Sequence, residues 1–129
     1  MNKEYAALPL RLILGLAFIV HGYAKLFGGI PATTEFFSGV GIPLAGFFAY
    51  FVGILEFFGG IALILGFFVS IISILLSVDM LVAILLVHLP RGFLASNGGY
   101  EFALIILSGL VTLAMLGSGK LSLQKVFKR

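Results

Sequence analysis

The chain has 129 residues, 61% of them apolar, with 8 basic and 5 acidic residues and a formal charge of +3. Its mean hydropathy is +1.24, whereas a soluble domain is about half apolar and a quarter charged; water-soluble folding and disorder are both excluded. The absence of cysteine removes disulfide exchange, iron–sulfur ligation and thiolate catalysis by this chain, and the scattered basic residues do not suit nucleic acid.

A membrane-spanning helix needs about 20 mostly apolar residues, and four such runs follow one another. The first covers 8–27. It is too long for a signal-peptide core, carries Arg11, His21 and Lys25, and lacks a small-residue cleavage site, so it reads as an uncleaved helix. Pro9 falls in its first turn, where proline costs little. Residues 28–43 read as a loop, punctuated by Gly28, Gly29, Pro31, Gly39, Gly41 and Pro43, with Phe36 and Phe37 dipping into the interface. The second helix covers 44–65 and stops at Gly66. The third covers 68–89 and ends at Pro90. Residues 90–99 form a second polar loop, and the fourth helix covers 100–116, ending at Gly117-Ser118-Gly119. A basic tail occupies 120–129. Polarity does not alternate along these runs as it does in transmembrane strands. The sequence therefore predicts an all-α fold, a transmembrane four-helix bundle, as a single integral membrane domain over 1–129.

Lys3, Arg11, Lys120, Lys125, Lys128 and Arg129 flank one side of this arrangement, and Lys25 and Arg91 the other. Positive residues favour the cytoplasmic side, so a multi-pass protein of the plasma (inner) membrane with both termini cytoplasmic is expected. The loops at 28–43 and 90–99 then face outward.

Ionisable groups inside a bilayer cost from about 2.5 kcal/mol upward at mid-depth and turn inward to find partners. Arg11, Gly15, Phe18, Gly22 and Lys25 share one stripe, spaced 4, 3, 4, 3. Gly46, Ala49, Gly53, Glu56 and Gly60 form another, spaced 3, 4, 3, 4. Small residues allow close backbone approach, so these stripes should pack together and bring Glu56 near Arg11, His21 or Lys25. On the third helix Asp79 should point almost opposite His88, because nine residues make two and a half turns of an α-helix. Asp79 would then face Arg11 or another protomer. The expected ion-pair network is Arg11, Lys25, Glu56, Asp79 and Glu101. It reads equally as structural glue or as a proton or ligand site.

The candidate ligand-binding residues are His21, Lys25, Glu56, His88, Asn97, Tyr100 and Glu101. Neither histidine has a second ligand at i+4, which disfavours a b-type haem between them; hydrogen bonding to carboxylates or to a ligand fits better. No metal site is assigned. The segment Ala95 to Glu101 reads either as a loop capping the fourth helix or as an anion or carbonyl site at that helix end.

Three segments carry a family likeness: Arg11 to Gly28, with the run Val-His-Gly-Tyr-Ala-Lys at 20–25; Gly53 to Gly60 with Leu65-Gly66; and Ala83 to Phe93 leading to Asn97-Gly-Gly-Tyr-Glu101. Together they resemble the DoxX family of small four-helix membrane proteins, over residues 10 to 123. The resemblance implies kinship with DoxD, a membrane subunit associated with thiosulfate:quinone oxidoreductase, and with other oxidoreductase-linked membrane proteins. It carries Arg11, His21, Lys25, Glu56, His88, Asn97, Tyr100 and Glu101 as motif residues. The function it implies is that of a subunit or accessory of a quinone-linked membrane redox system that passes electrons with a redox partner protein or a bound cofactor. The cofactor is left unassigned, with quinone the one considered, and a homo-oligomer is an expectation apart from the resemblance. The residues themselves leave two rivals open: a non-enzymatic scaffold or assembly subunit, and a small-molecule or lipid carrier.

Overall fold

The computed structural model describes residues 2–127; Lys128 and Arg129 of the expected basic tail lie outside them. Six α-helices follow one another: α1 (Ala7–Leu26), α2 (Ile30–Gly39), α3 (Ala45–Leu65), α4 (Val69–Ala83), α5 (Glu101–Leu116) and α6 (Leu123–Phe127). Among the described residues the regular structure is entirely helical. Three helical stretches are long and apolar enough to cross a membrane, namely Lys3–Leu26, Ala45–Leu65 and Val69–Arg91, and Glu101–Leu116 is a shorter apolar helix. The expected spans thus recur as helices with edges shifted by one or two residues, apart from the irregular end of the third.

Two elements differ from expectation. The presumed loop at 28–43 contains α2, with Pro31 in its first turn. Its glycines flank a helix instead of interrupting one: Gly28 (φ 95°) and Gly41 (φ 89°) turn the chain on either side, conformations open to glycine without penalty. The third span is not α-helical throughout. A π-turn occupies Ile84–His88 and a 3-10 turn Leu89–Arg91. Pro90 has no N–H to continue the α ladder, and the carbonyl it would have bonded is left to rearrange. A π-turn closes wider hydrogen-bonded rings and so turns the chain less per residue. His88 and Asp79 both line one cavity.

The interior is small and the outside greasy. Leu14 and Phe18 of α1, Leu63 of α3, Val69 and Leu76 of α4, and Ile106, Leu110 and Leu113 of α5 form the buried core. Ile13, Val20, Ile71, Val78, Ile105 and Met115 stand exposed on the outer faces, as suits a surface solvated by lipid. The two glycine stripes meet as expected, apart from Gly46, which approaches Thr34 of α2. A β-carbon on Gly22 would stand 2.6 Å from Phe57 Cα, and one on Gly60 2.8 Å from the Ile19 nitrogen. The α1 and α3 backbones are therefore in direct contact at both sites. Gly22→Ala should lower the unfolding midpoint in mild detergent by at least the ~1–3 kcal/mol of an overpacked core. Gly39→Ala, where a β-carbon meets nothing, should leave it unchanged.

One end of the molecule is tied by backbone carbonyls. Helix α3 ends at Gly66, in the left-handed region at φ 83°, and leaves its last carbonyls without intrahelical donors. Arg11, only 1% exposed, supplies them. Its Nε donates to Leu63 O (2.9 Å) and its Nη2 to Ile64 O (2.8 Å). Its Nη1 donates to the carbonyls of Ser118 (2.9 Å), Lys120 (3.3 Å) and Leu121 (3.1 Å). A cation at a helix C-terminus also complements the helix dipole. Nearby, Lys120 pairs with Glu4 at 2.6 Å, and the Gln124 side-chain oxygen accepts from the N–H of Phe68 at 2.8 Å. Phe68 itself is left-handed at φ 48°, a conformation that costs a bulky residue about 1–3 kcal/mol and that this bond helps hold. The expectation that Arg11 joins an ion-pair network is corrected: its five hydrogen bonds go to backbone oxygens, because it lies level with helix ends that need donors.

Candidate functional site

The other polar cluster lies well away from Arg11. Lys25, near the end of α1, and Glu56, in the middle of α3, meet across the glycine-lined contact. Gly53 allows it, since the Lys25 Cβ and the Leu26 side chain occupy the space where a β-carbon would stand. Lys25 Nζ donates to Glu56 Oε1 at 2.5 Å, with side-chain exposures of 22% and 7%. From α4, Asp79 comes close enough to interact electrostatically with both Glu56 and Lys25. Its Oδ2 is buried without a hydrogen-bond partner. Two carboxyls against one ammonium leave the trio short of one positive charge or one donated hydrogen.

Lys25 and Glu56 border two cavities, and Asp79 borders the larger of them. The larger, about 690 Å³, opens between α2, α3 and α4. Helices α3 and α4 touch near their connecting turn, where Gly59 faces Ile72 and Leu76, and the cavity lies farther along. Its lining is overwhelmingly apolar, with Phe36 and Phe37 from α2 and Phe48 and Phe51 from α3. Its polar lining residues are Lys25, Glu56, Asp79 and His88. The smaller cavity, about 370 Å³, lies between α1, α4, α5 and the loop before α5, and includes His21 and Gly98. Lys25, Glu56, Met80, Ala83 and His88 line both. The Lys25–Glu56 pair is therefore a partition wetted, or filled, from two sides.

His88 reaches this partition from the π-turn. Its Nδ1 lies 2.9 Å from the carbonyl oxygen of Gly98. A carbonyl only accepts, so Nδ1 carries the hydrogen, and in the neutral ring Nε2 is an acceptor. The 90–99 loop that presents Gly98 is folded on itself, with Tyr100 N–H donating to Gly92 O (2.9 Å) and Glu101 N–H to Phe93 O (2.8 Å).

Of the residues singled out from the sequence, Lys25, Glu56, Asp79 and His88 come together around the larger cavity, and His21 joins Lys25, Glu56 and His88 around the smaller. Asn97, Tyr100 and Glu101 do not line either cavity. Asn97 sits in a short 3-10 turn, the Tyr100 ring packs edge-on against Phe93 with centroids 5.4 Å apart, and Glu101 opens α5. Missed in the sequence were the Gly98 carbonyl and Met80, and Asp79 was assigned to a different face. Pro90, two residues after His88, is the one local signal that the helix geometry before it departs from α.

A small, all-helical membrane protein with a Lys–Glu pair between two cavities and an aspartate beside it is the class defined by these features. The chain belongs to the DoxX family, whose model matches residues 6–89. It is 37% identical over 131 residues to a Bacillus subtilis protein named "Putative oxidoreductase CatD", covering 99% of this chain and 93% of the relative. It is 33% identical over 126 residues to "Uncharacterized membrane protein Rv3486" of Mycobacterium tuberculosis, covering 90% of this chain and 77% of that one. No solved structure matches.

Proposed function

We propose that the chain is a membrane component of a quinone-linked redox system and holds the quinone in the larger cavity. The observation that carries this reading is the cavity itself. Its volume of about 690 Å³ lies within the roughly 300–1,000 Å³ of small-molecule sites. Its lining divides as a quinone does, aromatic and aliphatic along most of its length and hydrogen-bonding at one wall. Phe36, Phe37, Phe48 and Phe51 would flank the ring or tail, and Lys25, Glu56, Asp79 and His88 would meet the head. A bound quinone would supply the electron carrier that the side chains lack. The protein's own part is to orient the head group, shield it from lipid, and provide a Lys–Glu–Asp path along which protons move. The name of the Bacillus relative points the same way.

The reading includes four membrane crossings. Supporting this, the C-terminal end of α3, the segment after α5 and the N-terminal end of α1 all meet at Arg11, as alternating up and down helices would. Helix α5 is 16 residues long, about 24 Å at 1.5 Å per residue, so the bilayer would thin slightly around it. Both termini would lie in the cytoplasm, in the plasma membrane, with a redox protein as partner and self-association through the exposed apolar faces.

Gentle extraction into nanodiscs followed by native mass spectrometry tests the reading, and a quinone should be released from the wild-type protein. Release of phospholipid alone would favour a lipid carrier, to which the pair of cavities lends some support. Release of neither would leave the scaffold reading in place and end the quinone proposal.

A further inference from the structure

Glu56 and Asp79 are hydrogen-bonded to each other. Ionised carboxylates are acceptors only, so this bond requires one hydrogen between them. The charges agree. Lys25 is paired with Glu56 and is the one ammonium beside the two acids, so with a single shared proton the trio is neutral. Without it, a negative charge would stand uncompensated in the membrane interior. The two acids differ in access. Asp79 lines the larger cavity alone, whereas Glu56 lines both. The smaller cavity connects Glu56 with His21 and Gly98. His21 is exposed and has no partner among the described residues. It stands five residues before the end of α1 at Leu26, roughly 7–8 Å by helix rise. His88 also lines both cavities, but its Nδ1–H is held by the Gly98 carbonyl. A carbonyl takes up no proton, so this ring accepts and returns one at Nε2 without passing it through. No other ionisable side chain lines either cavity.

We infer that Glu56 and Asp79 store one proton in common, and that it exchanges with water on the side of the 90–99 loop through the smaller cavity, with His21 as the relay. This deepens the quinone reading by naming the source and the side of the protons a head group would trade, but the store itself needs no quinone. One proton moves and no electron does. An O–H bond at the acid pair breaks, cavity water carries the proton, and an N–H bond forms at His21; the reverse sequence refills the store. Imidazole suits the relay because it gains and loses a proton readily near neutral pH. Lys25 keeps Glu56 charged and so holds the store at one proton instead of two. The larger cavity gives no equivalent route, because away from the acids its lining is aromatic and aliphatic.

Infrared difference spectroscopy on the nanodisc-embedded full chain, transferred from H2O to D2O, tests this. In neutral buffer the wild type should show the carbonyl stretch of a protonated carboxyl, shifting as its hydrogen exchanges. Asp79→Asn should remove that band, because the asparagine amide donates to Glu56 in place of the shared hydrogen and leaves no proton to store. His21→Phe should keep the band and slow its shift at least about tenfold, short of the roughly 10²–10⁴-fold of a positioned acid–base group, because cavity water leaves a slower path. His21→Glu, which also carries a proton, should restore the rate. A wild type without an exchanging carboxyl band would overturn the shared proton, and a His21→Phe rate equal to wild type would overturn the route. The quinone reading is decided separately, by ligand release: a band without released quinone leaves the store standing alone, and released quinone without a band overturns the store alone. The wild-type band needs no variant, so the first result does not depend on how any substitution folds.

Discussion

Replacement of Arg11 by leucine should abolish most of the folded protein. The guanidinium is fully buried and makes five hydrogen bonds, two to the end of α3 and three to the segment following α5. Leucine fills part of the volume and satisfies none of the carbonyls. Removing one side of a buried, charged hydrogen-bonding set costs about 3–5 kcal/mol, a large fraction of the ~5–15 kcal/mol that holds a typical domain together. Arg11→Lys should recover only part of it. Lysine keeps the charge but has a single nitrogen, and it cannot span both carbonyl groups as the planar fork does. Thermal unfolding in detergent, followed by helical circular dichroism, gives the order wild type, Arg11→Lys, Arg11→Leu. An Arg11→Leu protein as stable as wild type would show that this hub is dispensable.

Glu56→Gln should have the opposite profile, with folding kept and function lost. Glutamine has the same shape and keeps an acceptor for Lys25 Nζ. The ammonium it leaves behind is 22% exposed and borders two cavities, so water can hydrate it, and the full penalty of a sealed unpaired charge does not apply. What disappears is the negative charge and the proton-carrying oxygen at the head-group wall. On the proposed quinone reading, quinone binding should fall by about tenfold or more, or ~1.4 kcal/mol. Yield and unfolding midpoint should stay close to wild type. A collapse in yield would instead mark the trio as structural.

Much of this was readable in the residues. The spans stand out because lipid tolerates no long polar interruption, and the α1–α3 contact because glycine at positions 15, 22, 53 and 60 has few other uses in a membrane helix. Lys25 and Glu56 meet for the reason their stripes suggest. The rest depends on partners that carry no side-chain signature. Arg11 bonds to backbone oxygens, and any residue supplies one. The segment 30–39 hid a helix because its flanking glycines and Pro31 look like breakers, although proline is at home in a first turn. Asp79 and His88 were set apart by counting every residue at the same angular step, which holds only until the helix changes type at Ile84. Asn97, Tyr100 and Glu101 are grouped with the site because they stand in the family motif, yet their neighbours Ala95, Gly98, Gly99 and Phe102 line the smaller cavity and they do not.

The Arg11 hub also bears on how such a chain is made. Its acceptors lie 52 and 53 residues later on α3 and 107 to 110 residues later beyond α5. At roughly 5–20 residues per second of translation, the guanidinium leaves the ribosome seconds before the first acceptor and longer still before the last. Until then phosphate head groups or the insertion machinery must shelter it, and the first helix cannot settle at its final depth. A nascent polypeptide released before residue 118 never acquires the closing contacts.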